Sequence, residues 1–357
     1  MGFEIDFLPV GEGSHGGDAI ALRFGDLKGV DNGDVFTAVI DGGYKTSGKS
    51  LVDHVHDVYE TDAVDIVLST HPDNDHIQGL EHVVRELRVG QLWIQQPSQE
   101  AKALVASALD VATGSEHERL ATVTASLQQS QSLIELAVEL GIEVVSPFAG
   151  LAAADGAFRV IGPTASYYDE LLPHFRTSVP TGLKAAIAGA LEARTGKVPG
   201  ETLQHETLSD DSRTEPENNA SVISLAHVDG YALLFTADAG EDALVRAADY
   251  LDCEGFDWDQ LDVVQIPHHG AESNVTPAIL NRLLGNPVQE LGTRRACVSC
   301  PRSPARGHPS KRVTNAFHRR GTRVFKTAGS MVRLSRDAPP REGLSKAEQV
   351  PFYFDLD

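Results

Sequence analysis

Val64-Asp65-Ile66-Val67-Leu68-Ser69-Thr70-His71-Pro72-Asp73-Asn74-Asp75-His76-Ile77-Gln78-Gly79 is the stretch whose reading decides the fold. Its first five residues are an apolar run rich in β-branched side chains, the pattern of a buried strand. Beyond it, Ile77, Leu80, Val83, Val84 and Leu87 recur at helical spacing. Between strand and helix, four side chains of metal-ligand type (His71, Asp73, Asp75 and His76) occupy six positions. A strand-to-helix turn of this kind presents loop side chains at a sheet edge on rigid support. Two imidazoles and two carboxylates so close together would repel or compete for protons unless a cation organised them. Mixed nitrogen and oxygen donors suit Zn²⁺, Mn²⁺ or Fe²⁺.

The motif resembles the metal-binding signature of the metallo-β-lactamase superfamily, His-x-His-x-Asp-His, with Asp73 in place of the second histidine. In this form it is similar to the β-lactamase-like domain of ComEC-type DNA-uptake proteins. The resemblance implies an α/β fold, a four-layer αββα metallo-β-lactamase sandwich, here with helical insertions. It also implies two divalent cations, Zn²⁺ or Mn²⁺ with Mg²⁺ as a further option.

Composition sets outer bounds. The chain has 357 residues, is 41% hydrophobic and carries a net charge of −21. That suits one large domain (1–357) with two insertions, a helical one at 99–141 and a helical or loop one at 165–217 that can act as a lid. No apolar run approaches the roughly 18 residues of a membrane helix. Met1-Gly2-Phe3-Glu4 carries an early acid and no basic region, so no signal peptide is expected. Three cysteines, an odd count, argue against a disulfide framework and fit a cytoplasmic location. Cys297-x-x-Cys300 has no partner pair, so it reads as two structural thiols.

The charge is unevenly placed. From Arg294 to Arg336 there are twelve Lys or Arg and no Asp or Glu. An acidic protein is a poor nonspecific binder of nucleic acid, but a local basic segment can serve an anionic substrate. Arg306, Lys311, Arg312, Arg319 and Arg320 are therefore candidate phosphate contacts.

Along the chain, strands are expected at 3–10, 19–24, 35–40, 64–68, 89–94 and 142–145, with helices at 51–60 and after His76. Two helices fill 99–141, parted near Thr113-Gly114-Ser115, and Gly141 closes the second. After the strand at 158–163, residues 185–194 are helical in composition, and 195–217 reads as a loosely held polar loop. The hairpin from Asn218-Asn219 to Ala237-Asp238 and the strand Leu261–Ile266 before Pro267-His268-His269-Gly270 complete the site-bearing segments. A basic helix, 311–320, and strands at 323–326 and 331–334 follow.

The resemblance extends to these segments residue by residue. One cation would take His71 and Asp73, the other Asp75, His76 and one of His268 or His269, with His268 preferred; Asp238 would bridge the two. Asp41, which ends a strand in Asp41-Gly42-Gly43, would support the metal loop from behind. Asn218 and Asn219 stand where the superfamily has another histidine, which leaves the first site poor in nitrogen. Ser273 and Asn274 follow the histidine pair as substrate or supporting contacts. His308 would approach the substrate as a phosphate contact or proton donor, and Asp75 would act in catalysis. The expected activity is hydrolysis of a phosphodiester in DNA or RNA by a metal-activated water. The alternatives are a metallohydrolase of a small substrate (lactone, thioester, β-lactam or cyclic nucleotide) and a metal-binding sensor without turnover.

Overall fold

The computed structural model describes residues 1–11, 16–29, 35–175, 201–303 and 307–356. Among them, β1 (Gly2–Phe7), β2 (Ala19–Gly25), β3 (Val35–Gly42), β4 (Ala63–Ser69), β5 (Arg88–Ile94) and β6 (Glu143–Val145) join the last strand, β14 (Val332–Arg336), in one sheet. Its order is β14-β1-β2-β3-β4-β5-β6. A second sheet runs β13-β12-β11-β10-β9-β8-β7. It comprises β7 (Ala152–Ala153), β8 (Phe158–Gly162), β9 (Ile223–Val228), β10 (Tyr231–Phe235), β11 (Leu261–Gln265), β12 (Arg295–Val298) and β13 (Arg323–Lys326). Each sheet is antiparallel over its hairpin half and parallel where helices cross over, at β3-β4-β5-β6 and at β10-β11-β12-β13.

Strand alternation builds the layers. Phe3, Ile5 and Phe7 of β1 face the space between the sheets, where they meet Phe158, Leu233, Phe235 and Val263. The outer face of the first sheet is covered by α1 (Lys45–Asp57), α3 (Leu80–Glu86) and the end of α5 (Ser115–Glu139), through Leu51, Val55, Leu80, Val83 and Leu136. The outer face of the second is covered by α8 (Glu241–Cys253), α9 (Pro277–Leu284) and α10 (Lys311–Arg319), through Leu244, Leu251, Leu280 and Phe317. The result is the expected four-layer αββα sandwich.

The remaining helices are α2 (Asn74–Ile77), α4 (Gln99–Val111), α6 (Ala165–Leu171) and α7 (Pro216–Asn219). Helices α4 and α5 part at 112–114, as the Thr113-Gly114-Ser115 signal predicts, and their buried Val105, Leu120 and Val123 pack on Tyr168, Leu172 and Phe175. The expected helix at 185–194 lies outside the described residues. The described part of the expected loose loop, from 201, is instead strapped down. Glu201 is buried and paired with Arg319, Leu208 enters the core, and Arg213 N, Ser212 Oγ and Thr214 Oγ1 all donate to the carbonyl of Ser273. Its polar residues hold the loop by hydrogen bonds, which apolar periodicity does not report. No helix among the described residues is long and apolar enough to cross a membrane.

Candidate metal centre

The candidate ligands sit where strands of both sheets end. The loop after β4 carries His71 and Asp73 and the short helix α2 that follows carries Asp75 and His76; the turn after β10 carries Asp238; the turn after β11 carries His268 and His269. These turns are conformationally tight. Asp41 (φ 56°), Ala237 (φ 45°), His268 (φ 47°) and His269 (φ 55°) all adopt the left-handed region that β-carbons disfavour. The amide of His268 donates to the carbonyl of Ala237 (3.0 Å), which locks the two turns together.

Asp238 lies at the middle. Its Oδ2 is 3.8 Å from His71 Nε2 and 3.6 Å from His268 Nε2; its Oδ1 is 3.5 Å from His76 Nε2 and 4.0 Å from His269 Nε2. Asp73 Oδ2 stands 4.0 Å from His71 Nε2, while Asp75 Oδ2 stands 4.0 Å from His76 Nε2 and 3.6 Å from His269 Nε2. Two groupings result, His71-Asp73-His268 and Asp75-His76-His269, each facing one oxygen of Asp238.

This arrangement corrects two expectations. The histidine pair is divided, so His269 belongs with Asp75 and His76, and His268 with His71 and Asp73. A left-handed backbone at both residues splays adjacent side chains that an extended strand would send to opposite faces. The first grouping also holds two imidazoles, because His268 stands with His71 against Asp238 Oδ2 although Asn218 and Asn219 bring no histidine there. The Asn218 amide instead lies 3.2 Å from His268 Nδ1, and Asn219 Oδ1 accepts the amide of Gly240 beside the Asp238 turn.

Behind the histidines, each Nδ1 meets an oxygen that fixes the ring. His76 Nδ1 donates to Asp41 Oδ2 (2.8 Å) and His71 Nδ1 to Thr70 Oγ1 (3.1 Å), whose hydroxyl donates to the same Asp41 oxygen (2.6 Å). His268 Nδ1 donates to Asn274 Oδ1 (2.9 Å) and His269 Nδ1 to the carbonyl of Ser299 (3.0 Å). Asn274 is fully buried; its Nδ2 donates to the carbonyl of Asp238 (2.8 Å) and its Oδ1 also accepts from Ser273 Oγ (3.0 Å). In the neutral tautomer that these oxygens favour, Nδ1 carries the proton and each Nε2 is left to face inward as a lone pair. Asp41, His71 and His76 are themselves close enough to hold an ion, but donors occupy both Asp41 oxygens, so Asp41 orients rather than ligates.

The donor set fits divalent cations. Among the described residues, His71 Nε2, His76 Nε2, His269 Nε2 and Asp238 Oδ1 are buried with no hydrogen-bond partner. Separations of 3.5–4.0 Å are too long for good hydrogen bonds between them. Buried polar atoms without partners are costly, and a cation supplies the missing contact. Charge points the same way. Burial opposes ionisation of Asp238, yet His268, His76 and His269 hold it well below the usual carboxylate range. Asp75 is half-buried, which opposes its charge, yet His76 and His269 draw it down to about 2. Burial likewise opposes a charge on His269, but Asp238 and Asp75 raise it to about 9: without a cation these carboxylates draw a proton onto the ring, and a cation at Nε2 would take that proton's place.

No family model matches the sequence and no curated protein matches it. Among solved structures, the chain is similar to a candidate metallo-beta-lactamase from Thermotoga maritima, at 13% identity and a TM-score of 0.36, over 71% of this chain and 93% of that one. It is also similar to a mutant of the CmlA beta-hydroxylase, at 13% identity and a TM-score of 0.42, over 93% of this chain and 53% of that one. Neither likeness carries chemistry to this chain.

The structure treats the basic candidates unequally. Arg306 lies outside the described residues. His308 reaches the rim, its ring stacked on that of His268 with centroids 6.4 Å apart. Lys311 Nζ donates to the carbonyl of Asp355, and Arg312 engages Glu272 and Thr207. Arg319 and Arg320 are not surface phosphate contacts. Both are buried, Arg319 paired with Glu201 and Arg320 held in a fork by Glu206 (2.9 and 3.1 Å). Their acids arrive from more than a hundred residues upstream, which no local charge count reveals. Sequence reading also passed over Asp18, a buried carboxylate beside His76 and His269. Its signal in the sequence is Gly17-Asp18-Ala19, an acid directly after a glycine and before an apolar strand.

Proposed function

We propose that this chain is a metal-dependent hydrolase that attacks a phosphodiester with water. The observation that carries the reading is the convergence of four oriented imidazoles and three aspartates on two adjacent positions that share Asp238. Two divalent cations bound there would acidify a water and neutralise charge gathering on the attacked phosphorus. The chain's own groups do the rest. Asp41, Thr70, Asn274 and the Ser299 carbonyl hold the imidazoles rigid before substrate arrives, so no reorganisation is needed during reaction. Asp73 and Asp75, partly exposed, form the open side from which substrate enters. His308, on that rim beside His268, hands a proton to the departing oxygen. The ComEC-like form of the motif, with Asp73 and the His308-Pro309 turn, supports phosphorus over an acyl carbon.

The second reading, a small-molecule metallohydrolase, gains from one observation. Arg295, Arg312, Arg319, Arg320, Arg333 and Arg336 of the basic segment all pair with acids, which favours a short substrate over a long nucleic-acid track. Protein loaded separately with Zn²⁺ and Mn²⁺ should be assayed on single-stranded DNA, RNA, bis(p-nitrophenyl) phosphate and a lactone panel. Cleavage of the phosphodiesters is expected. Lactone cleavage alone would move the substrate to the second reading, and no turnover in a metal-loaded protein would leave a sensor.

A further inference from the structure

We infer that Asp18 is a third carboxylate ligand of the second cation position, which gives that position the set Asp18, Asp75, Asp238, His76 and His269 and a preference for a harder ion than the first. The inference rests on the two-cation reading of the centre. Asp18 is 1% exposed and immediately precedes β2. Its main chain is bound to the metal loop, since its amide donates to the carbonyl of Asp75 (3.2 Å). Gly17 lies against that loop: a β-carbon on it would come within 2.2 Å of the Asp75 carbonyl oxygen.

The side chain is held from the other sheet. Gln265 Nε2 donates to Asp18 Oδ2 (2.9 Å), while Gln265 Oε1 accepts the amides of Thr236 (3.0 Å) and Ala237 (2.9 Å), just before Asp238. One amide group thus sets the position of Asp18 against the turn that carries Asp238. The other oxygen, Oδ1, is buried and finds no well-aligned hydrogen-bond partner among the described residues, although the Ser299 hydroxyl lies beside the carboxyl and favours its charged form. Asp18, Asp238 and His269 offer ligand atoms that all lie within 4.8 Å of one another. A carboxylate oxygen sealed from water, with at most one hydroxyl beside it and set among ligand atoms, would be satisfied by a cation.

The two positions then differ in kind. The first offers two imidazoles (His71, His268) with Asp73 and a shared Asp238, a set that suits Zn²⁺. The second offers two imidazoles with three carboxylates, and oxygen-rich sets favour Mn²⁺ or Mg²⁺.

The test uses the whole chain, stripped of metal, with Mn²⁺ and Zn²⁺ binding followed by calorimetry and elemental analysis. Wild type is expected to take two ions. Asp18→Asn, which keeps an oxygen to accept from Gln265, should bind Mn²⁺ at the second position at least about tenfold more weakly, with Zn²⁺ at the first position unchanged. Without metal the variant should melt no lower than wild type, because a buried like charge is gone; a merely structural Asp18 would make it melt lower. Unchanged Mn²⁺ affinity in a variant that takes two ions overturns the role of Asp18 alone. Fewer than two ions in wild type overturns the two-cation reading and this inference with it. A crystal structure of the wild-type Mn²⁺ form decides without any variant: Asp18 Oδ1 on the ion supports the assignment, and Asp18 bonded only to Gln265 overturns it.

Discussion

Asp41 Oδ2 accepts from His76 Nδ1 at 2.8 Å and, through the Thr70 hydroxyl, braces His71 as well. One carboxylate therefore orients a histidine in each half of the centre. Asp41→Asn keeps the shape but puts an amide into a site built from donors, so one ring must turn or lose its partner. Affinity for both cations should fall about 10–100-fold. Calorimetric titration of the metal-free variant checks this. A loss confined to one ion would mean that Thr70 holds His71 unaided.

Much of this was legible from the chain alone, for a physical reason. Strand and helix periodicities around His71–His76 are local, and so is the cluster of ligand types. The pairing of distant turns is not local. That His268 serves one half of the centre and His269 the other depends on two left-handed residues in succession, and pattern reading places adjacent strand residues on opposite faces. Asp18 was not read as a ligand because a single acid after a glycine looks like any solvated turn residue; the fold buries it, with Gln265 of the second sheet bonded to it. The basic segment was misread for the same reason, its acids being Glu201, Glu206, Glu4 and Asp262.

Arg319 gives the misreading a measurable consequence. Buried against Glu201, it also donates to the carbonyls of Thr202 (3.0 Å) and His205 (2.6 Å), tying the 201–215 strap to α10. Arg319→Ala leaves Glu201 buried without its charge partner, which typically costs about 3–5 kcal/mol. Chemical denaturation should show that loss. The salt dependence of binding an anionic substrate should stay as in wild type, since no surface charge is removed.

A buried ionic cluster under α1 sets the response to acid. Arg341 donates to Asp6 Oδ1 (2.9 Å), Asp6 Oδ2 (2.7 Å) and Glu4 Oε2 (2.9 Å). Burial by itself would raise both carboxyls, yet Arg341, with Arg23 at Glu4 and His54 at Asp6, holds both below their ordinary values. Acids depressed in the folded state contribute stability that is complete above the ordinary carboxylate range and is lost as pH falls through the lowered values. Arg341→Ala should thus cost about 3–5 kcal/mol near neutrality, with the gap from wild type narrowing in acid. Denaturant midpoints measured from pH 7 down to pH 3 test the sign. A gap of constant size would show that Arg341 acts by packing alone.

Gly79 links packing to the centre. Its backbone is ordinary right-handed helix (φ −74°, ψ −19°), so conformational freedom does not explain a glycine here. Contact does. A β-carbon would lie 2.0 Å from the Gly42 carbonyl oxygen and 2.8 Å from the Gly48 amide nitrogen, while β-carbons on Gly42 and Gly48 would strike Leu80 and Gly79 in turn. Three glycines thus let β3, α1 and the end of the metal loop meet backbone to backbone, with Asp41 one residue from Gly42 and His76 three from Gly79. Gly79→Ala must push these segments apart, at an overpacking cost of about 1–3 kcal/mol. It should also stretch the Asp41–His76 bond and weaken cation binding. Gly114→Ala separates the two effects: at φ 59° with nothing within 4 Å, it strains the backbone far from the centre. It should lower the melting temperature while leaving cation affinity unchanged. If Gly79→Ala lost stability but kept wild-type affinity, the Asp41–His76 contact would be shown to adjust independently of the glycine seam.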